Sequence, residues 1–205
     1  MKVLNLYAGI GGNRKLWTDV DVTAVELNPD IAKIYQDFFP EDKVIVADAH
    51  QYLLDHYKEF DFIWSSRPCT SHSRARMWGW KNDDRVKKLY PDFGLYEEIV
   101  FLIHYFKGKW VAENVKPYYK PLIPAQEIGR HLFWSNFYIQ PYPAKSADIN
   151  RGNMDEWSGL HGLNIDKYKN IGRRDKILRN CVLPELGLHV FNSMNNQELS
   201  QGKLF

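Results

Sequence analysis

Short apolar runs alternate with longer polar segments over the first 115 residues of the chain. Apolar runs bounded by polar residues, glycine or proline are typical of buried strands in a parallel sheet. They predict strands over residues 3–7, 22–25, 44–47, 60–65 and 109–112, with helices between them over residues 13–18, 29–39, 51–57 and 95–106. Because strands separated by helices form right-handed crossovers, the pattern predicts an α/β fold with a doubly wound, mostly parallel sheet.

The alternation breaks after about residue 115, where prolines interrupt the chain. One further strand is predicted near residues 133–139, and residues 144–172 are polar and without a clear period. Residues 175–194 predict a loop and a closing helix, and residues 195–205 a flexible tail. Boundaries are therefore expected near residues 139, 172 and 194.

A cysteine and a glutamate follow two of the predicted strands. Cys69 lies just after the fourth strand and Glu113 ends the fifth. The carboxyl ends of the strands in an open α/β sheet face the ligand crevice, so both side chains are expected in one site. Taken singly, Cys69 is explained as a small buried residue and Glu113 as half of an ion pair. Taken together, a thiol nucleophile beside an acid favours catalysis.

The first three strand ends carry a cofactor pattern. Gly9, Gly11 and Gly12 allow a tight turn and a close approach of the backbone to a ligand. Glu26 ends the second strand and is suited to accept ribose hydroxyls, and Asp48 ends the third, where it can accept the exocyclic amine of adenine. Acids at both strand ends predict a nucleoside-bearing cofactor. The spacing alone leaves NAD open as an alternative.

These residues together resemble the DNA cytosine-5 methyltransferase family. Residues 5–12 (NLYAGIGG) resemble its first motif, and residues 68–73 (PCTSHS) its P-C-Q-x-x-S nucleophile motif. Glu113, Asn114 and Val115 match its E-N-V unchanged. Weaker matches, in the family's order, are residues 25–28, 47–49 and 94–96, Gln126 and Arg130 in Q-x-R-x-R, and residues 180–182 in the last motif.

The resemblance implies a Rossmann-like methyltransferase fold that binds S-adenosylmethionine and methylates carbon 5 of cytosine in double-stranded DNA, with base flipping. It implies Cys69 as the nucleophile, Glu113 on the ring nitrogen and amine, and Arg130 on the ring carbonyl, where its cation also favours the Cys69 thiolate. The cofactor-binding residues that it implies are Tyr7, Ala8, Gly9, Gly11, Gly12, Glu26, Leu27, Asp48, Ala49, Pro68, Leu95, Asn180 and Val182. Cys181 takes the place of a small residue and is expected in the core or the pocket wall.

A basic loop over residues 70–92 follows the nucleophile and contains Trp78 and Trp80. Cations interleaved with tryptophan predict a lid that neutralises phosphates over an extruded base, against the plainer alternative of a solvated surface loop. The nucleic-acid contacts expected across the chain are Ser73, Arg74, Arg76, Asn114, Arg151, Arg173 and Arg174. His72 in this loop receives no role.

The resemblance also names the parts of the chain. Residues 1–139 are expected to form the catalytic and cofactor-binding domain, 140–172 a reduced, irregular target-recognition region, and 173–194 a segment that returns to the catalytic domain. Members of the family commonly carry a recognition region about three times as long. This chain also departs from the motifs at Arg67, Thr70, Ile128 and Arg179. The short recognition region predicts a short or degenerate target site. The alternatives to DNA methylation are methylation of RNA and a non-catalytic relative that binds the cofactor or DNA.

Composition adds little to this interpretation. A net charge of +2 is too mild to identify a nucleic-acid partner by itself. Two cysteines in 205 residues indicate no disulfide scaffold and favour a reducing compartment. No cluster of Cys and His has metal-ligand spacing, no apolar run reaches membrane-spanning length, and the start of the chain does not read as a signal peptide. We therefore expect a cytoplasmic protein of a prokaryotic or phage-infected cell, with no metal and no membrane partner.

Overall fold

A computed structural model describes residues 1–74, 77, 90–142, 153–169 and 171–195 of the chain. The strands in these ranges are β1 Lys2–Leu6, β2 Asp21–Glu26, β3 Lys43–Val46, β4 Phe62–Ser65, β5 Lys109–Val115, β6 Gln126–Ile128 and β7 His131–Ser135. They form one seven-stranded sheet in the order β3-β2-β1-β4-β5-β7-β6. The pairs from β3 to β5 are parallel, and β7 runs antiparallel to both β5 and β6. The predicted α/β, mostly parallel sheet is confirmed.

The order of the strands determines where a ligand can bind. From β1 the chain moves outward to β2 and β3, then returns to add β4 and β5 on the other side of β1. Such a reversal leaves a crevice beyond the carboxyl ends of the strands on either side of it. The register aligns Leu6 with Val25 on one side and with Ser65 on the other, so these strand ends lie level.

The helices are α1 Pro29–Phe38, α2 Ala49–His56, α3 Gly94–Tyr105, α4 Met154–His161, α5 Arg174–Asn180 and α6 Pro184–Ser193, with a 3₁₀ turn at Tyr57–Glu59. Polar caps begin two of the helices near the crevice. The Asn28 side chain accepts hydrogen bonds from the backbone of Asp30 and Ile31 at the start of α1, and Pro29 suits its first turn. The Asp48 side chain caps α2.

Alternating side chains of the sheet build two apolar layers. Val3 and Trp64 point to one face, where they pack with residues of α6 such as Val190. Leu4 and Ile63 point to the other, where they pack with residues of α2 and α3. Successive residues of a strand face opposite sides, so a continuous apolar strand is buried on both faces.

The predicted helix over residues 13–18 is wrong. The segment forms successive turns, in which Arg14 N–H donates to the Gly11 carbonyl and Trp17 N–H to the Arg14 carbonyl at 3.0–3.1 Å. Helix α6 packs so closely here that a Cβ on Gly187 would overlap the backbone of Asn13. Trp17 Nε1 also donates to the Gly187 carbonyl at 3.3 Å. Tertiary packing therefore replaces a helix that the local pattern favoured.

Two other predictions are corrected in the second half of the chain. The strand expected near residues 133–139 is β7, which begins at His131 and ends at Ser135. A short edge strand, β6, was not predicted, because three residues following a proline carry no readable period.

The segment expected to be irregular contains α4, which a capping box of Asn153 and Glu156 begins. Trp157, Leu163 and Ile165 near this helix pack in one cluster with Ile10 of the glycine turn and Ile34 of α1. Residues 153–165 therefore dock against the cofactor side of the domain. No helix in the described part of the chain is long and apolar enough to cross a membrane.

Candidate active site

A pocket of about 420 Å³ opens at the carboxyl ends of β1, β2, β4 and β5. This size lies in the range typical of small-molecule and cofactor sites. All but two of the expected cofactor residues line it. The lining residues are Tyr7, Ala8, Gly9, Gly12, Glu26, Leu27, Asp48, Ala49, Pro68, Asn180 and Val182. The expected catalytic residues Cys69, Glu113 and Arg130 line the same pocket. A single cavity thus combines the predicted cofactor and catalytic groups.

Gly11 and Leu95 do not line this pocket. Gly11 has φ of +83°, and a Cβ there would overlap the ring of Phe39. Its role is to let the turn pack against the end of α1. Leu95 is 2% exposed and lies in the apolar layer between the sheet and α3, because it faces inward from the first turn of that helix.

Gly9 and Gly12 shape the pocket wall. Gly9 has φ of +55°, a left-handed conformation that favours glycine. A Cβ on Gly12 would lie 2.6 Å from the carbonyl oxygen of Val182. The turn after β1 and the segment after α5 can therefore meet only because position 12 has no side chain.

The two acids at the strand ends are oriented by backbone groups. The Glu26 carboxylate accepts hydrogen bonds from Gly9 N–H at 3.0 Å and from Asn28 N–H at 2.9 Å, one on each oxygen. Asp48 Oδ1 accepts from Gln51 N–H at 2.9 Å as the cap of α2. No described residue bonds Asp48 Oδ2. Both carboxylates keep acceptor capacity toward the pocket, and they fit a ligand with ribose hydroxyls and an exocyclic amine.

Cys69 lies in the turn after β4. Its carbonyl accepts hydrogen bonds from the backbone N–H groups of His72 and Ser73 at 3.0 Å, which fixes the turn. The thiol is half-buried. Burial and the Glu113 carboxylate raise the pKa of the Cys69 thiol, while the Arg130 cation lowers it in part. Arg130 acts in the expected direction, yet burial prevails, so the free thiol is held in its protonated form.

Asn114 joins the cysteine turn to β5. Its Nδ2 donates to the carbonyl of Arg67 at 3.0 Å, and its Oδ1 accepts from Val115 N–H at 2.9 Å. The side chain is 2% exposed. Asn114 therefore holds the segment before Cys69 against the strand that carries Glu113. It also lines the pocket, and its expected contact with nucleic acid stays a prediction.

Arg67, where the family has a proline, is the centre of a part-buried polar network. Its Nη1 donates to Glu98 at 2.6 Å and to the Tyr7 hydroxyl at 2.7 Å, and its Nε to Asp92 at 3.1 Å. Glu98 is fully buried and also accepts from Ser65 Oγ at 2.8 Å. The network ties the cysteine turn to α3 and explains how an arginine replaces a proline here.

Glu113 has a partner that the sequence did not indicate. Glu113 is 6% exposed, and its Oε1 lies 2.5 Å from Nδ1 of the buried His131. Nε of Arg130 donates to Nε2 of His131 at 3.1 Å. Arg130 Nη2 donates to the carbonyls of Arg179 and Cys181 at 2.8 and 3.2 Å. The pairing of β5 with β7 brings His131 to this place, and no sequence motif contains it.

A model of C-5 cytosine-specific DNA methylases matches residues 1–121 of the chain. The chain belongs to this family. The family's cofactor is S-adenosylmethionine, and the glycine turn, the two oriented acids and the pocket fit it, so this prediction is confirmed. The match also confirms the resemblance to this family that the cysteine and E-N-V motifs carry.

Solved structures similar to this chain include a Spodoptera frugiperda DNMT2 mutant. The match has 26% sequence identity and a TM-score of 0.41, and it covers 56% of this chain and 35% of that chain. A SAM-dependent methyltransferase from Agrobacterium tumefaciens matches at 13% identity and a TM-score of 0.40, and the match covers 58% of this chain and 40% of that chain. Entamoeba histolytica EhMeth matches at 19% identity and a TM-score of 0.35, and the match covers 56% of this chain and 38% of that chain. The match spans about a third of the DNMT2 structure. No curated protein sequence matches the chain.

The described residues expected to contact nucleic acid, Asn114 apart, do not line the pocket. Ser73 forms an isolated β-bridge with Pro117, and the exposed Arg74 donates to the Pro117 carbonyl at 3.3 Å. Arg173 is 74% exposed in its side chain and pairs with Asp175 at 2.7 Å. Arg174 approaches Asp166 at 3.5 Å.

Several expected residues lie outside the described part of the chain. They include the nucleic-acid candidates Arg76 and Arg151 and the remaining cations and tryptophans of the proposed lid, Trp78, Trp80, Lys81, Arg85, Lys87 and Lys88. Within the described part, no group of three or more His, Cys, Asp or Glu side chains is arranged to hold a metal ion.

Proposed function

We propose that this chain transfers a methyl group from S-adenosylmethionine to carbon 5 of cytosine in double-stranded DNA, through a covalent adduct with Cys69. One observation carries the proposal: Cys69 and Glu113 line the same pocket as the cofactor residues, and the Asn114 amide bonds the cysteine turn to the strand of Glu113. A nucleophile and an acid held together beside a methyl donor are what cytosine-5 methylation needs.

The chemistry begins with Cys69. Carbon 5 of cytosine is a weak nucleophile because its electrons belong to an aromatic ring. The Cys69 thiol loses its proton, which passes to the Glu113 carboxylate. Addition of the resulting thiolate to carbon 6 forms an S–C bond and opens the double bond between carbons 5 and 6, while the proton passes on from Glu113 to ring nitrogen 3. Carbon 5 then becomes an enamine-like nucleophile. Splitting one difficult step into easier ones is the benefit of the adduct.

The cofactor, when bound, supplies a methyl group on a sulfonium sulfur as the electrophile for carbon 5. Transfer of the carbon 5 proton to a solvent water then restores the ring double bond and breaks the S–C bond to expel the Cys69 thiolate, and Glu113 regains its proton from nitrogen 3. Arg130 is half-buried and lines the same pocket as Cys69 and Glu113, and its cation opposes the raised pKa of the thiol. Its guanidinium also suits the carbonyl of the ring.

The depth of the site requires the base to leave the duplex. Glu113 is almost fully buried behind the cysteine turn. A cytosine stacked in a helix cannot bring its ring nitrogen to this carboxyl group, so the base must be extruded into the pocket. The exposed cations Arg74 and Arg173 are suited to hold phosphates, which position a duplex without reading its sequence.

We further propose that the target site is short or degenerate. Each good bidentate contact to a base edge contributes about 1–3 kcal/mol of discrimination, so a strict site needs several such contacts. Part of the region expected to read the target is instead occupied in packing, because Trp157, Leu163 and Ile165 dock on the glycine turn and α1. We expect about two or three determined base pairs, with affinity that falls steeply as salt rises.

The test uses the full chain with radiolabelled S-adenosylmethionine and either a random-sequence duplex DNA library or a matched RNA library. We expect label in DNA at carbon 5 of cytosine and a covalent adduct with duplexes that contain 5-fluorocytosine, because fluorine cannot leave as a proton does. Cys69→Ala should bind the cofactor in calorimetry, yet form no adduct.

Each alternative has its own outcome. Label in RNA alone would replace DNA with RNA as the substrate, and cofactor binding without methyl transfer to either library would indicate a non-catalytic relative. Active enzyme that forms no adduct with 5-fluorocytosine would refute the role of Cys69. A strict site of about five or more base pairs, read by the chain alone, would refute a degenerate target.

A further inference from the structure

His131 is a buried titratable residue that the proposed chemistry has not yet used. It opens β7, where it pairs with Val115, two residues beyond Glu113 on β5. Residues two apart on a strand share a face, so His131 and Glu113 form a diagonal pair across the two strands. The 2.5 Å contact between Nδ1 and Oε1 is therefore set by the register of the sheet.

The partners of the ring determine where its proton lies. Arg130 Nε carries a hydrogen and can only donate, so His131 Nε2, at 3.1 Å, must accept and has no proton. A neutral imidazole then carries its single hydrogen on Nδ1, which donates to Glu113 Oε1. The hydrogen bonds therefore run in one direction: Arg130 donates to His131, and His131 donates to Glu113.

We propose that His131 is a positioning residue for methyl transfer, which commits Glu113 Oε1 to an internal hydrogen bond and leaves Oε2 to exchange the proton with the cytosine ring. The proposal rests on the function proposed above. When Glu113 gives its proton to nitrogen 3, negative charge appears on the carboxylate, and the N–H of His131 stabilises that charge within a buried site. The same bond prevents the carboxyl group from rotating away from the base.

Two substitutions separate this role from simple packing. In His131→Asn, the side-chain amide nitrogen takes nearly the place of Nδ1 and can donate to Glu113, but the contact with Arg130 is lost. In His131→Gln, the longer amide reaches the place of Nε2, so it can contact Arg130 while the donor to Glu113 is lost. The two variants are similar in polarity and differ in which hydrogen bond they keep.

The experiment measures kcat, KM for duplex DNA and for S-adenosylmethionine, and the rate of adduct formation with 5-fluorocytosine duplexes. For His131→Gln we expect kcat and the rate of adduct formation to fall about 10- to 100-fold with KM values nearly unchanged, the range of a lost hydrogen bond to a charged group. His131→Asn should recover most of that loss.

Ser135→Ala is the matched structural control. Ser135 lies buried at the other end of β7 and donates a hydrogen bond to the Phe137 carbonyl at 2.6 Å. Its removal should lower the thermal unfolding temperature and leave kcat unchanged.

Three results would decide against the proposal. If the two His131 variants lost activity equally, or if neither did, the donor to Glu113 would have no role. If Ser135→Ala lost kcat to the same extent, loosening of β7 would explain the effect. A wild-type chain that neither methylates nor forms an adduct would instead refute the proposed function, which keeps the two failures distinct.

Discussion

Removing the Asn114 side chain should separate the two halves of the site. In Asn114→Ala, the Arg67 carbonyl and the Val115 N–H each lose a hydrogen-bond partner in a part-buried place. An unsatisfied backbone group costs about 1–3 kcal/mol, so we expect the free energy of unfolding to fall by about 2–4 kcal/mol in total. A shift of the cysteine turn by about 1 Å relative to Glu113 would lower activity about 100-fold.

The chain offers a close control for this change. Asn136 likewise bonds two backbone groups of the neighbouring segment, accepting from Trp110 N–H at 3.1 Å and donating to the Gly108 carbonyl at 2.8 Å. It lies at the opposite end of β5 from the pocket. Asn136→Ala should therefore lose similar stability and keep its activity.

The measurement combines urea unfolding with single-turnover methyl transfer below the unfolding midpoint. Calorimetry should show nearly unchanged binding of S-adenosylmethionine to both variants. Equal activities in Asn114→Ala and Asn136→Ala, at equal losses of stability, would refute the argument that the Asn114 bonds position Cys69.

Two further predictions follow from the pocket. Asp48→Ser should keep the cap of α2, since serine caps well, but it removes the carboxylate that faces the pocket. Calorimetry should then show S-adenosylmethionine binding weakened about 10-fold or more, with little change in unfolding temperature. Unchanged affinity would show that Asp48 does not bind the cofactor. Glu113→Gln removes a carboxylate that raises the pKa of Cys69. Because that pKa then falls, the thiolate fraction at pH 7.5 rises and iodoacetamide should alkylate Cys69 faster, although methyl transfer is lost. Peptide mass spectrometry distinguishes Cys69 from the buried Cys181, because burial raises the pKa of Cys181 to about 12. Slower alkylation of Cys69 would contradict the assignment.

Most cofactor and catalytic residues could be predicted because they lie near the carboxyl end of a strand. Glu26 ends β2, Asp48 and Cys69 lie in the turns after β3 and β4, and Glu113 lies near the end of β5. Parallel strands bring their carboxyl ends to one edge, so local patterns suffice to place these side chains together. The predicted roles of Cys69 and Glu113 remain predictions that the experiments above test.

Other features depended on segments far apart in the chain. The turns at residues 13–18 replace a helix because α6, about 170 residues later, packs on Asn13. Leu95 packs in the core and does not line the pocket, because α3 packs on the sheet through the face that carries it. Neither the spacing of apolar residues nor a motif contains such information.

The sequence by itself determined the order of the five parallel strands, the helices between β2 and β5, the edge of the sheet that carries the chemistry, and the residues near the ends of those strands. These depend on periodicity and on the geometry of parallel strands, which act locally. Only the tertiary structure decided that Asn114 faces inward and that His131 contacts Glu113. Hydrogen bonds of this kind depend on angstrom-scale register between strands and turns, and no linear pattern of residue types specifies that register.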